Sequence, residues 1–156
     1  SRGASPALGS VSPRGVQRGT DAVLTFSGAR LADAQEILFY TPGITVTKLE
    51  PTPTAVKASV KIAPTAALGE HAVRVRTASG ISELRTFWIG AYPTVAEKEP
   101  NNEFTTPQNI GLNLTVEGVV QTEDVDYYAV DLKKGQRLSV EIEGMRLANT
   151  LFDPYI

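Results

Sequence analysis

Cysteine is absent from the 156-residue sequence, and histidine, tryptophan and methionine occur once each. A disulfide framework and a thiolate zinc site are therefore impossible. The lack of cysteine does not assign a cytosolic origin, because exported domains also do without it. Any Ser-His-Asp arrangement would have to use His71, which lies between Glu70 and Ala72 in a strand-like stretch and reads as a strand residue with no catalytic role. No phosphate-binding loop, dinucleotide fingerprint or HExxH zinc motif is present. No enzymatic activity is expected of this chain. No apolar run approaches the roughly 18 residues needed to cross a bilayer, so no membrane span is expected. The first residues do not read as a leader peptide, so an exported parent is expected to carry its leader elsewhere or to lose it.

A strongly basic segment is missing as well. Residues 1–92 carry a formal charge of +4 and residues 93–156 a charge of −6. Neither half resembles a nucleic-acid footprint, so no nucleic-acid partner is expected. The change of sign near residue 93 marks a boundary between two units, 1–92 and 93–156, with 93–106 as a polar connector. Helical periodicity is nearly absent; only Asp33-Ala34-Gln35-Glu36 suggests a helical turn.

What remains is the signature of short strands. Thirteen glycines and ten prolines are spread through the chain as turn punctuation. Val23–Phe26, Ile37–Tyr40, Thr45–Leu49, Val56–Ile62, His71–Thr77 and Leu84–Ile89 are rich in β-branched and aromatic residues. Val56, Ala58, Val60 and Ile62 alternate with Lys57, Ser59 and Lys61, the period of a strand with one wet face. Ser79-Gly80 reads as a hairpin turn. Six or seven such strands in about 90 residues predict an immunoglobulin-like β-sandwich. Phe26, Phe39, Phe87 and Trp88 are expected in its core, and Arg74, Arg76 and Arg85 on a wet strand face.

Beyond the connector, Thr115–Val120, Tyr127–Leu132 and Leu138–Ile142 read as strands, and Leu151–Ile156 as the start of another. About 60 residues with three strands cannot easily bury both faces of a sheet. The second sandwich is therefore expected to be incomplete, with the rest of the parent polypeptide or a strand-donating partner completing it. Tyr127, Tyr128, Phe152 and Tyr155 are expected to pack in its core or rim.

Two carboxylate groupings stand out. Glu97, Glu99 and Asn101 sit two apart and share one face of an extended segment, which Pro100 favours at Glu99. Asp124 and Asp126 are again two apart, just before a strand. If the two segments meet, oxygen ligands converge in the manner of a Ca²⁺ site. The same residues also read as a solvated linker and an ordinary Asp-rich turn.

The first half resembles the IPT/TIG family of immunoglobulin-like domains. The resemblance rests on Val11-Ser12-Pro13-Arg14-Gly15, Arg18-Gly19-Thr20, Leu24-Thr25-Phe26-Ser27-Gly28, Gly69-Glu70-His71-Ala72-Val73-Arg74-Val75, Thr77-Ala78-Ser79-Gly80 and Phe87. The second half resembles the start of the bacterial pre-peptidase C-terminal (PPC) family, a jelly-roll-like β-sandwich. The residues that carry this are Glu97-Lys98-Glu99-Pro100-Asn101-Asn102, Gly118, Asp124-Val125-Asp126-Tyr127-Tyr128, Lys134-Gly135-Gln136 and Phe152-Asp153-Pro154-Tyr155. That resemblance implies calcium held by Glu97, Glu99, Asn101, Asn102, Asp124 and Asp126.

Together the resemblances imply a non-catalytic structural or binding module pair of a secreted or cell-surface bacterial protein. Extracellular protein or polysaccharide would be its ligand class. The alternatives are an accessory or pro-region of a secreted protease and, behind it, a DNA-binding IPT/TIG domain.

Overall fold

A computed structural model describes residues 4–121, 124–144 and 147 of the chain. The described residues contain thirteen strands and no helix, and the fold is all-β and sandwich-like. None of the described residues forms a helix long and apolar enough to cross a membrane. Two compact units are present. One comprises the residues up to Ala91 with those described beyond Ile142; the other is Tyr92–Ile142.

The first unit holds β1 (Ala7–Ser12), β2 (Gly15–Gln17), β3 (Asp21–Ala29), β4 (Ala34–Phe39), β5 (Ile44–Pro51), β6 (Ala55–Ile62), β7 (Gly69–Thr77), β8 (Gly80–Ile81) and β9 (Arg85–Gly90). One sheet has the order β1-β3-β6-β5; the other runs β2-β9-β7-β4, with β8 paired to β7. This is the strand order of a constant-type immunoglobulin sandwich whose first strand is split between the sheets. The split falls at Pro13, which has no N–H to give to a ladder. Chain before it pairs antiparallel with β3, and chain after it pairs parallel with β9.

Alternation decides which side chains enter the core. On β6, Val56, Ala58, Val60 and Ile62 are buried, while Lys57 and Lys61 are exposed. They meet Leu8, Val11, Leu24 and Phe26 of their own sheet and Ile37, Val73, Val75, Phe87 and Ile89 of the opposing one. A fully buried phenylalanine contributes about 1.5–3 kcal/mol of apolar transfer energy, so Phe26 and Phe87 weigh heavily in this core. Phe39 packs against it edge-on to Phe87, with ring centroids 6.0 Å apart.

Three expectations change here. Trp88 does not enter the core: Phe87 and Ile89, its neighbours on β9, point inward, so the strand period turns Trp88 to the outer face. The stretch Asp33–Glu36 is no helical turn, because Ala34 onward pairs with β7. A register shift between Ala34 and Glu36 accommodates the polar run, and Asp33 Oδ2 accepts from Ala78 N at 3.1 Å. Arg74 and Arg76 share the outer face of β7 as expected, alternating with the buried Val73, Val75 and Thr77, but Arg85 does not join them: it has the inward parity of Phe87 and Ile89 at the end of β9. Arg76 pairs with Glu36 at 2.8 Å, whereas Arg85 Nε donates to Gly9 O at 2.9 Å.

His71 is 1% exposed. Its Nδ1 meets the Thr41 hydroxyl and its Nε2 lies 2.7 Å from Ala67 O. Both ring nitrogens are thereby occupied in tying two connections to β7.

The second unit contains β10 (Thr94–Ala96), β11 (Gln108–Asn109), β12 (Thr115–Glu117) and β13 (Tyr128–Ala129). β10 pairs parallel with β12, and β11 pairs parallel with β13. The expected strands over Thr115–Val120 and Tyr127–Leu132 are thus shorter in the fold. Leu138–Ile142 makes no ladder among the described residues despite its alternation, because period-2 patterning specifies a face and not a partner. The expected strand over Leu151–Ile156, with Phe152 and Tyr155, lies outside the described residues.

Candidate metal centre

β10 delivers Glu97 directly. The parallel β10–β12 ladder continues one step, with Glu97 N donating to Glu117 O at 2.9 Å. The Glu97 side chain then turns back over β12, where Val119 N donates to its Oε2 at 2.9 Å. Gly118 makes this possible: a Cβ on residue 118 would stand 2.6 Å from Glu97 Oε2. Tyr128 Oη donates to the other oxygen, Oε1, at 2.5 Å.

The segment after Glu97 is pinned by the amide of Gln108. Its Oε1 accepts from Lys98 N at 2.8 Å and its Nε2 donates to Ala96 O at 3.1 Å. Tyr127 N donates to Asn101 O at 2.9 Å, bringing the segment containing Asp126 alongside. Glu97, Glu99 and Asp126 each offer a carboxylate oxygen, and these atoms lie within 4.8 Å of one another. The expected convergence of residues 97, 99 and 126 therefore occurs within the second unit.

Asn101 completes the group. It is 1% exposed, so its amide cannot turn to water. In one orientation Nδ2 donates to Glu97 Oε1 at 3.4 Å. With the amide turned over, Nδ2 donates to Glu99 Oε2 at 2.9 Å and Asp126 Oδ1 at 3.2 Å. The first orientation leaves the Asn101 oxygen facing those two acceptors. The turned-over orientation satisfies the amide, whose protons then bridge Glu99 and Asp126.

Asn102 and Asp124 play a different part. Asn102 Nδ2 donates to Asp124 Oδ1 at 2.6 Å, and Gln121 N donates to Asp124 Oδ2 at 2.9 Å. Both Asp124 oxygens thus have donors, and the pair flanks the three-carboxylate group.

The electrostatics follow from this crowding. Burial pushes the Asp126 carboxyl up to about 6, assisted by the charges of Glu97, Asp124 and Glu99 and by a hydrogen bond with Glu97. Tyr128 is driven well above the ordinary phenol range by burial, by its bond to Glu97 and by the charges of Glu97 and Asp126. Tyr128 therefore stays a donor at neutral pH.

The donor set is all oxygen, with carboxylates dominant, which suits a hard cation such as Ca²⁺. Glu97, Glu99 and Asp126 are the groups placed to hold one. Spacing along the chain does not single out Tyr128, Gly118 or Gln108, since their roles depend on β12 and β13 folding against the connector. Gly118 and Tyr128 did stand among the residues carrying the family resemblance. No protein-family model and no curated protein sequence matches this chain.

Proposed function

We propose that the chain is a non-catalytic, calcium-binding module pair of a secreted or cell-surface bacterial protein. One observation carries the calcium reading: three carboxylates within 4.8 Å of one another, with the buried Asn101 amide among them. A bound Ca²⁺ would supply the positive charge that this oxygen cluster needs, and protein stability would rise with calcium by mass action. Glu97, Glu99 and Asp126 would ligate by carboxylate, with Asn101 bridging two of them and Asn102 and Asp124 holding the flank. Placement outside the cell rests on the resemblance of the two halves to IPT/TIG and PPC domains, and the same resemblance supports a part of the parent polypeptide, or a strand-donating partner, covering the exposed residues of the second unit.

Thermal unfolding in EDTA, in millimolar CaCl₂ and in MgCl₂ tests the reading. A calcium-specific rise in the melting of the second unit, abolished by Glu99→Ala, is the expected outcome. Identical melting in EDTA and CaCl₂ would sink the proposal.

A further inference from the structure

β5 is the end strand of its sheet, and no strand among the described residues pairs with its outer edge. Ala63 N donates to Gly43 O, so the main-chain groups of Gly43 and Thr45 turn towards β6, and those of Ile44 and Val46 point away from it. Beside this edge runs a groove whose other wall is β4, with Ile37, Phe39, Ile44, Val46 and Leu49 in its lining. Ile44, Val46 and Leu49 are part-buried, while Thr45, Thr47, Lys48 and Glu50 between them are exposed. An apolar row beside a line of outward N–H and C=O groups suits an added strand, because an extended chain supplies both a backbone and alternating side chains.

β6, seated on the inner edge of β5, shows which sequence such a strand needs. Its pairs are Ile62 with Ile44, Lys61 with Thr45, Val60 with Val46, Ser59 with Lys48, Ala58 with Leu49 and Lys57 with Glu50. Thr47 is skipped, and this bulge brings the apolar residues 44, 46 and 49 into step with a regular period of two. The chain carries the pattern a second time: Lys57-Ala58-Ser59-Val60-Lys61-Ile62 is matched by Arg137-Leu138-Ser139-Val140-Glu141-Ile142. The serine, valine and isoleucine are identical, and a cation stands first in both. Leu138, Val140 and Ile142 are 43%, 61% and 42% exposed, so this second copy of the pattern has its apolar face uncovered. It makes no ladder among the described residues.

Laid antiparallel on the outer edge in the register of β6, Ile142 meets Ile44, Val140 meets Val46 and Leu138 meets Leu49. On the wet face Arg137 then comes opposite Glu50, an attractive cross-strand pair. Glu50 also holds Lys48 on its own strand at 2.9 Å, and a carboxylate has acceptor sites for both. The parallel alternative would set Glu143 beside Glu50, like charge against like.

We propose that Arg137–Ile142 of one copy adds to the outer edge of β5 in a second copy, so that the chain associates with itself. The junction uses none of the calcium ligands and is assayed in EDTA, so its failure would leave the calcium reading standing.

Sedimentation equilibrium of the full chain from about 5 μM to about 0.5 mM covers the weak association of so small an interface. The mass is expected to rise with concentration. Val140→Lys, at an exposed position outside any described ladder, should weaken association by at least about tenfold. Val46→Pro removes an N–H that points away from β6, a place where edge strands accept proline, and should act likewise, with circular dichroism verifying its fold. Each variant alone should be monomeric, and an equimolar mixture should pair one to one, because the mixed pair keeps one intact donor and one intact acceptor. A wild-type monomer across the whole range, association that survives Val140→Lys, or a mixture of the folded variants that stays monomeric overturns the proposal. A monomeric wild type whose first unit melts lower in Val140→Lys would put the segment on β5 of its own chain and overturn it equally.

Discussion

Gly118 sits so close to the Glu97 carboxylate that a Cβ on residue 118 would stand 2.6 Å from Oε2 and 2.9 Å from Cδ. The atoms in the way belong to the tip of a flexible side chain, so the fold can yield by swinging Glu97 aside. That motion gives up the bonds from Val119 N and Tyr128 Oη, each a net loss of about 1 kcal/mol. Gly118→Ala should therefore melt several degrees below the wild type in EDTA. Its calcium affinity, read by calorimetric titration, should fall by at least about tenfold, because one ligand has left the cluster. Wild-type affinity in Gly118→Ala would show that Glu97 is not a ligand.

Asp126 gives a pH dependence with two opposite signs. Its carboxyl is raised from 3.8 to about 6, so the folded chain holds this proton more tightly than the unfolded chain does. Without metal, this group makes the second unit more stable as pH falls from about 6 towards 4. Calcium must displace the same proton, so its stabilising effect should shrink over that window. The difference between melting temperatures in CaCl₂ and EDTA should be large at about pH 7.5 and small at about pH 5. Asp126→Asn should raise the EDTA melting temperature near neutrality and remove the calcium response. A calcium effect independent of pH would contradict this assignment of Asp126.

How far the sequence discloses these features depends on the range of the interaction. The alternation of Val56, Ala58, Val60 and Ile62 sets the inner face of β6 outright. At Trp88 parity outweighs residue type: Phe87 and Ile89 fix the inward positions of β9, and Trp88 falls between them. Spacing of two brings Glu97 and Glu99 together, but it cannot choose between Asp124 and Asp126. The fold chooses, placing Asp126 with the glutamates and pairing Asp124 with Asn102. Tyr128 reaches Glu97 across 31 positions of sequence, beyond any local pattern.

Gly28 answers a different constraint from Gly118. A Cβ at residue 28 would fall 1.9 Å from Ala7 O and 2.9 Å from its carbonyl carbon, both backbone atoms of the adjoining strand. No side-chain rotation relieves that clash, so β1 must separate from β3. Overpacking of this kind costs roughly 1–3 kcal/mol. Gly28→Ala should lower the melting temperature of the first unit, followed by Trp88 fluorescence. A wild-type melting temperature would mean that β1 shifts without loss.

Glu83 links β1 to the segment before β9, and its acid response should be opposite to that of Asp126. Leu8 N donates to Glu83 Oε2 at 2.8 Å. That donor first, then the Glu83 backbone N–H and the charges of Arg85 and Arg30, hold the carboxyl below its usual value of 4.5, against a small opposing effect of burial. A lowered folded value means that the ionised form favours the fold. The contribution is complete above the ordinary glutamate value and fades as pH falls through the lower folded one. Glu83→Gln keeps the shape and accepts from Leu8 N without charge. It should melt below the wild type at neutral pH, and the two melting curves should converge as pH falls below the ordinary glutamate value of 4.5. The effect is modest because the carboxylate is solvated, so the diagnostic is the convergence and not the size of the gap. A gap that stays constant down to acid pH would assign the loss to packing at the β1 edge and remove charge from the account.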